Sequence, residues 1–210
     1  MHYRRVNLRA AVASFCATTV FAATIVMMMA LTAWAASPGE AVVRGAIDSM
    51  KALPATKSQP DARRKVLDSI DNALALDLLA RQALGPQWAK LNEVERRRFM
   101  ATFTASLEKL AFPRAAVALS QIKVTYLGDD KKGSAGVVRT TIAKDDGGKV
   151  PVDFVVARRG ARWQITDVTM DGESLSKAVS TRIQGALNQE GYQKLVEELQ
   201  KRVAEADAGP

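Results

Sequence analysis

The residue groups whose spacing suits acid, base or nucleophilic chemistry lie together near position 170. Ser174 and Lys177 have the S-x-x-K spacing in which a lysine amine activates a serine nucleophile, as in penicillin-binding proteins and β-lactamases. The companion S-D-N and K-T-G sequences of those enzymes are absent. Ser174 also suits the N-cap of a following helix. Capping is therefore the preferred interpretation, and a Ser-Lys hydrolase is the remote alternative.

Three acidic residues, Asp167, Asp171 and Glu173, form a second candidate group in the same region. Carboxylates this close in sequence can bind calcium or act as an acid/base pair. No glycine-containing calcium-loop spacing accompanies them, so turn and cap roles are preferred. No phosphate-binding P-loop or G-x-G-x-x-G sequence is present either. The sequence predicts a protein that is not an enzyme and that has no cofactor and no metal site.

The chain has one cysteine and one histidine, Cys16 and His2, and both fall within the first 35 residues. Those residues have the pattern of an export signal. If they are removed, the working protein has neither side chain. Disulfides, thiol catalysis, Ser-His-Asp chemistry and zinc sites built on histidine or cysteine are then excluded.

The leader is identified by the order of its parts. A short basic start precedes an almost uncharged apolar run over residues 10–33, and Ala33-Trp34-Ala35 then supplies the small-x-small pattern that signal peptidase accepts. We predict a signal peptide over residues 1–35, cleavage after Ala35 and localisation in the periplasm. An uncleaved anchor is the alternative, because about 24 apolar residues can span a bilayer. Lipidation of Cys16 is disfavoured, since the preceding residue is Phe15 rather than a small one.

The remaining 175 residues have the composition of one globular domain, predicted over residues 36–205. The leader's three arginines account for three of the eight net positive charges, leaving +5. The arginine clusters at 96–98 and 158–162 are interpreted as solvated faces, with contact to anionic lipid or a partner left open. The predicted compartment argues against nucleic acid. We expect a monomer.

Helical periodicity fills the first half of this domain. The first predicted helix covers residues 38–52 and is ended by Pro54. The second starts at Pro60 and runs through Ile70. A third spans residues 74–84 and ends at Gly85-Pro86. Asn92 and Glu95 form a predicted capping box. The apolar stripe behind it, which faces inward, consists of Phe99, Phe103, Leu107 and Leu110.

The apolar period changes to two after Gln121. The predicted strands cover residues 122–127, 135–143, 150–156 and 162–170, and the short gaps between them permit hairpins but not helical crossovers. In the last strand Trp163 and Ile165 alternate with Val168 and Met170, which predicts that parts of both sheet faces are covered. Helical periodicity then resumes over residues 173–187 and after Gly191, and residues 206–210 are predicted to be a disordered tail.

This order of elements predicts an α+β fold. A four-stranded antiparallel meander forms the sheet, and the N- and C-terminal helices pack against it and enclose an apolar pocket. The apolar stripes alone do not separate a pocket from a filled core, because both need the same residues.

Several segments together resemble one protein family. These are Leu84-Gly85-Pro86-Gln87-Trp88, the spaced Phe99, Phe103 and Leu107, the run from Trp163 through Asp167 to Leu175, and the ending Gly191 to Leu199. In this order, over about residues 40–203, they are similar to the MlaC-like, or toluene-tolerance auxiliary, proteins. The chain departs from the family at Phe112, where a tyrosine is frequent, and over residues 177–183.

The resemblance implies a periplasmic carrier that shuttles a phospholipid between an outer-membrane lipoprotein complex and an inner-membrane ABC transporter with an MCE-domain protein. The departures leave a carrier of another lipid, such as a hopanoid, or an adaptor that binds no lipid, as alternatives. The apolar stripes supply the candidate pocket wall. It consists of Phe99, Phe103, Leu107, Phe112, Val152, Phe154, Trp163, Val168 and Met170.

Overall fold

The computed structural model describes residues 36–143 and 147–208. The predicted signal peptide, its cleavage site, Cys16 and His2 lie outside this range. Within the described part of the chain, no helix is long and apolar enough to cross a membrane.

Helices form the first half of the domain. Local sequence sets their starts: the Ser37 hydroxyl accepts a hydrogen bond from the Glu40 amide at 3.0 Å, and Asn92 and Glu95 make both bonds of the predicted capping box. A 3-10 turn, Leu53–Thr56, follows the first helix, and a π-helical turn, Leu107–Ala111, follows the fifth. The helices are α1 (Pro38–Ala52), α2 (Pro60–Ala73), α3 (Leu76–Leu84), α4 (Gln87–Lys90), α5 (Glu93–Ser106) and α6 (Phe112–Ser120).

The sheet is an antiparallel meander, as the short gaps predict, but it has five strands in sequence order instead of four. The extra strand has only two residues and pairs with the end of the fourth, where Met170 faces Glu173. The last helix, α7 (Leu175–Ala208), therefore begins at Leu175 and not at Glu173. The strands are β1 (Val124–Lys132), β2 (Ala135–Ala143), β3 (Lys149–Arg159), β4 (Arg162–Met170) and β5 (Glu173–Ser174).

Strand β1 extends five residues beyond its predicted end at Leu127. The segment that follows is polar and was expected to be a connection, yet it continues the ladder with β2 as far as the pair Lys132 and Ala135. A bulge between Tyr126 and Gly128 shifts the register there. Backbone hydrogen bonds across a tight hairpin do not require apolar side chains at alternate positions. The alternation of apolar residues therefore places the end of this strand too early.

A second bulge changes which side chains share a face of β4. Val155 pairs with Asp167 while the next residue, Val156, pairs with Ile165, so Thr166 is the extra residue. One inserted residue reverses the alternation beyond it. Ile165, Val168 and Met170 consequently line a single cavity. The prediction that these residues cover two faces of the sheet is wrong for this reason.

Helix α7 spans Leu175–Ala208 and breaks at Gly191, whose φ of 79° lies in the left-handed region. The break agrees with the two helical segments predicted on either side of this glycine. The second segment includes Ala206 to Ala208, for which the sequence predicts disorder. Asp207 in this stretch forms an ion pair with Lys109 of the π-helical turn, which ties the helix end to the domain.

The buried side chains form three clusters. One lies among α3, α5 and α7 and contains Phe99, Phe103 and Val196. A second joins α1 to the inner face of the sheet, and a third joins the 3-10 turn, α2 and α6. The space between the clusters lies beside β4.

We predict that removing one buried side-chain hydrogen bond between β2 and β3 lowers the stability of the protein modestly. Thr140 is fully buried, and its hydroxyl donates to the Val152 carbonyl at 2.6 Å. Thr140→Val keeps the shape and removes the donor, so the free energy of unfolding is expected to fall by about 1 kcal/mol in denaturant titration. The exposed Thr125→Val on β1 is the matched control and is expected to change it by less than about 0.5 kcal/mol.

Candidate functional site: two apolar cavities beside the fourth strand

The first cavity, called the helix-side cavity, has a volume of about 200 Å³ and an almost wholly apolar wall. It lies between β4 and the helices α3, α5 and α7. Its polar members are Asp167 and Ser176, whose polar atoms bond to the protein itself, as described below. The full lining is Leu74, Leu79, Phe103, Leu107, Ile165, Asp167, Val168, Leu175, Ser176 and Val179.

The second cavity, called the sheet-side cavity, has a volume of about 160 Å³ and lies between the inner face of the sheet and α1, α2 and α6. Leu74, Ile165 and Val168 line both cavities and form the partition between them. The partition is held by the backbone, because the Ala75 amide donates to the Ile165 carbonyl at 2.9 Å. The sheet-side lining is Ala46, Ile47, Met50, Ile70, Leu74, Leu119, Val124, Thr140, Ile142, Val152, Phe154, Ile165, Val168 and Met170.

Apolar side chains rim both cavities where they approach the surface. Met170 on the sheet side is 42% exposed, and Leu175 and Val179 on the helix side are 45% and 42% exposed. A tight turn connects Met170 to strand β5, which directly precedes Leu175. Its two central residues, Asp171 and Gly172, both have positive φ, as a two-residue hairpin with the strand's own twist requires. The rim therefore combines half-exposed apolar side chains with the exposed polar residues Asp171 and Glu173 of the turn.

Asp167 fastens the first turn of α7 to β4 at this rim. Its Oδ1 atom accepts hydrogen bonds from the amides of Val168 at 2.8 Å and Ser176 at 3.0 Å, and its Oδ2 atom accepts one from the Ser174 hydroxyl at 2.6 Å. An anionic acceptor at a helix N-terminus is stabilising, because the first amides there lack partners within the helix. The carboxylate thus fixes one wall of the helix-side cavity.

The geometry at Ser174 agrees with the capping interpretation. Its Oγ atom accepts a hydrogen bond from the Lys177 amide at 3.1 Å and donates to Asp167. This is the arrangement of an N-cap, and the hydroxyl proton is directed to a carboxylate. Asp171 occupies the turn and Asp167 the cap, as preferred for the acidic group. Among the described residues, no cluster of three metal-ligating side chains is present.

The predicted wall residues divide between the two cavities and the core. Phe103 and Leu107 line the helix-side cavity, and Val152, Phe154 and Met170 line the sheet-side cavity. Val168 lines both. The remaining three line neither of these cavities: they are Phe99, Phe112 and Trp163.

Those three residues have other packing partners. Phe99 is fully buried against Phe103, with ring centroids 5.8 Å apart, and Phe112 is buried in the cluster of α2 and α6. Trp163 packs at the edge of the sheet cluster, with the Lys131 ammonium 5.5 Å from its ring centre. Phe99 and Phe103 are one helical turn apart, so periodicity gave no means of separating a core residue from a cavity residue.

Sequence reasoning missed most of both linings, among them Leu74 and Ile165, which line both cavities, and Leu79, Leu175 and Val179 on the helix side. Leu175 and Val179 are four residues apart on α7, and this spacing was an available signal. Leu74 gave no such signal. It is an extended residue just after the end of α2, and it forms a β-bridge to Ile165 of β4.

An acidic side chain lies behind the helix-side wall. Asp71 is on α2, one turn before Leu74, and its Oδ1 atom is buried and accepts no hydrogen bond. Burial and the adjacent Glu108 carboxyl of the π-helical turn raise the pKa of Asp71 to about 7. Asp77 at the start of α3 behaves oppositely, because hydrogen bonds from the Arg159 guanidinium lower its pKa.

The fold and these cavities define a small α+β domain with an apolar interior space between an antiparallel sheet and its helices. A family model for the MlaC protein matches residues 40–201, and the chain belongs to the MlaC family.

A solved structure has a similar fold. It is a phospholipid-binding protein from Ralstonia solanacearum in complex with a phospholipid, with a TM-score of 0.61 and 21% sequence identity. The match covers 80% of this chain and 98% of that one. No curated protein sequence matches the chain.

Proposed function

We propose that this chain is a periplasmic phospholipid carrier that holds acyl tails in the two cavities and leaves the headgroup at the rim. The observation that carries the proposal is the almost wholly apolar lining of the helix-side cavity, which opens between the half-exposed Leu175 and Val179. Membership of the MlaC family and the phospholipid bound to the Ralstonia protein support the same ligand.

The physical task of a carrier explains why the cavity walls are almost wholly apolar. Moving a chain of roughly fifteen methylenes into water costs on the order of 12 kcal/mol, at about 0.8 kcal/mol each. An apolar cavity removes most of that barrier and needs no reaction. The proposed shuttle runs between an outer-membrane lipoprotein complex and the MCE-domain protein of an inner-membrane ABC transporter.

The size of the cavities has a mechanical consequence for this function. Their volumes of about 200 and 160 Å³ lie below the roughly 300–1,000 Å³ of typical small-molecule pockets. A diacyl lipid therefore needs the walls to separate. Leu74, Ile165 and Val168, which divide the cavities, are the side chains that must move to join them.

The test is the mass of the protein as a bacterium exports it. The full chain is expressed in a host with an outer membrane, purified from the periplasm and measured by native mass spectrometry, followed by organic extraction of its lipid. We expect a mass increment equal to one phospholipid. Protein that is free of lipid, and that also takes up none from phosphatidylethanolamine and phosphatidylglycerol vesicles, would contradict the proposal.

The same measurement separates the alternatives. A hopanoid or another lipid in the extract would replace phospholipid as the cargo while preserving the carrier function. A lipid-free protein that binds an ABC transporter component would favour the adaptor. Acylation of Ser174 by an activated ester or a β-lactam would support the Ser-Lys hydrolase hypothesis. The hydrogen bonds of the Ser174 hydroxyl as an N-cap disfavour that hypothesis.

A further inference from the structure

The half-buried carboxyl of Asp71 has no role in the fold described above. Its Oδ1 atom is buried without a hydrogen-bond donor, which is costly for an ionised group. The adjacent Glu108 carboxyl acts on the Asp71 carboxyl and raises its pKa. Two ionised carboxylates have no proton to share and repel each other, whereas one proton between them makes a strong bond. The contact between Asp71 and Glu108 therefore changes sign with a single proton.

This contact joins two elements that carry cavity wall residues. Asp71 is three residues before Leu74, and Glu108 directly follows Leu107. Leu74 and Leu107 both line the helix-side cavity, and both pack against the cluster of α2 and α6. Glu108 lies in the π-helical turn, an irregular helix geometry that is frequent at functional positions. A change in the carboxyl contact is thus transmitted directly to the cavity wall.

We propose that Asp71 and Glu108 form a protonation-controlled latch, which holds α2 against the π-helical turn when a proton is shared and loosens the cavity wall when both carboxyls ionise. The role of the latch in lipid exchange rests on the proposed lipid-carrier function. Its effect on the cavity wall is independent of that function, because the latch consists of contacts within the protein.

The charged groups around the pair are consistent with this behaviour. Glu108 and Asp68 raise the pKa of Asp71 along with burial, and only the Arg64 guanidinium lowers it. Charged groups on the neighbouring elements are engaged elsewhere. Lys51 of α1 donates to the Ile122 carbonyl at 2.7 Å, and Arg162 of β4 donates to the Asn72 side chain at 2.7 Å.

The remaining charged groups of α1 that have described partners face β1. The Arg44 guanidinium lies 3.6 Å from the centre of the Tyr126 ring, and Asp48 acts on the same phenol. On the side of α6, Phe112 contributes an apolar surface. Arg64 is therefore the cation that acts on the latch.

The direction of the pH dependence follows from the raised pKa. The folded protein holds the Asp71 proton up to about pH 7, whereas the unfolded chain loses it near 3.8. The stability that the shared proton supplies is therefore fully present below the pKa of Asp71 in the unfolded chain. It is lost as the pH rises through the pKa of Asp71 in the folded protein. The wall is expected to loosen between about pH 6 and about pH 8, the range in which the pair loses its proton.

The experiment measures exchange of pyrene-labelled phosphatidylcholine from loaded protein to vesicles at several pH values. In the native chain we expect the rate to rise roughly fivefold to tenfold from about pH 5.5 to about pH 8, the change produced by coupling of about one pKa unit. Asp71→Asn and Glu108→Gln remove the repulsion and are expected to keep the slow rate at every pH. The exposed Asp61→Asn, in the first turn of α2 and not among the groups that act on Asp71, is expected to retain the rise.

A second measurement does not depend on lipid. Amide hydrogen exchange of residues 105–112 in lipid-free protein, corrected for the intrinsic effect of pH, is expected to accelerate over the same range in the native chain and in Asp61→Asn only. Equal pH profiles in the native chain and both latch variants, or loss of the profile in Asp61→Asn as well, would overturn the latch. If lipid never binds but the hydrogen-exchange step appears, the latch stands and the carrier function fails.

Discussion

Replacing Val168 by phenylalanine is expected to block lipid uptake with little change in folding. Val168 is one of the three residues that line both cavities, so a larger side chain there occupies the space through which an acyl chain must pass. Excluding only three methylenes from the cavity costs about 2.4 kcal/mol of lipid binding, or roughly a fiftyfold loss of affinity. The measurement is the lipid occupancy of purified protein together with uptake from fluorescent vesicles.

Val94→Phe is the matched control for this variant. Val94 lies on α5 and is 66% exposed, so the same change of side chain there touches no cavity wall. We expect normal lipid occupancy for Val94→Phe. The melting temperature of Val168→Phe is expected to lie within a few degrees of that of the native chain, because the added ring enters existing space. Full occupancy of a well-folded Val168→Phe protein would contradict the assignment of these cavities to acyl chains.

The sequence predicted best those features that depend on neighbouring residues. The capping box of Asn92 and Glu95, the proline at the start of α2 and the helix break at Gly191 are all local, and each is present in the structure. The antiparallel meander followed from short gaps that leave no room for a crossover helix. Local propensity and chain length were sufficient for all of these.

Features that depend on pairing between strands were not predictable in the same way. The bulge at Thr166 inserts one residue and places Ile165 and Val168 on one face, although strict alternation separates them. Strand β5 is two residues long and exists only because a tight turn folds it onto Met170. Neither feature changes the apolar pattern of the sequence.

The cavity wall was predictable only in part, because burial and cavity contact have the same sequence signature. Phe99 and Phe103 lie on one stripe of α5, yet Phe99 is enclosed by other side chains while Phe103 reaches the helix-side cavity. Whether a buried ring meets a neighbour or an empty space depends on all the elements around it. Leu74 illustrates the opposite error: the sequence predicts it as the first residue of a helix, whereas it is extended and bridges to Ile165 of β4, and the helix begins at Leu76.

Asp167→Ala is expected to lower the free energy of unfolding by about 3 kcal/mol. The substitution removes the acceptor of two amide bonds and one hydroxyl bond, and hydrogen bonds to charged groups are each worth about 1.5–3 kcal/mol before the protein relaxes. Solvent replaces part of this loss, because the site is only partly buried. Chemical denaturation followed by circular dichroism measures the change.

Glu173→Ala supplies the matched control, because it removes an exposed carboxylate from the adjacent strand β5 and is expected to change the free energy by less than about 0.5 kcal/mol. Comparing the two variants also shows whether the bonds of Asp167 hold the first turn of α7 in place. The Ser176 amide and the Ser174 hydroxyl lose their common acceptor only in Asp167→Ala, so hydrogen exchange over residues 174–179 is expected to accelerate there alone. Equal effects of the two substitutions would mean that general charge, and not the bonds of Asp167, holds the first turn of α7 against β4.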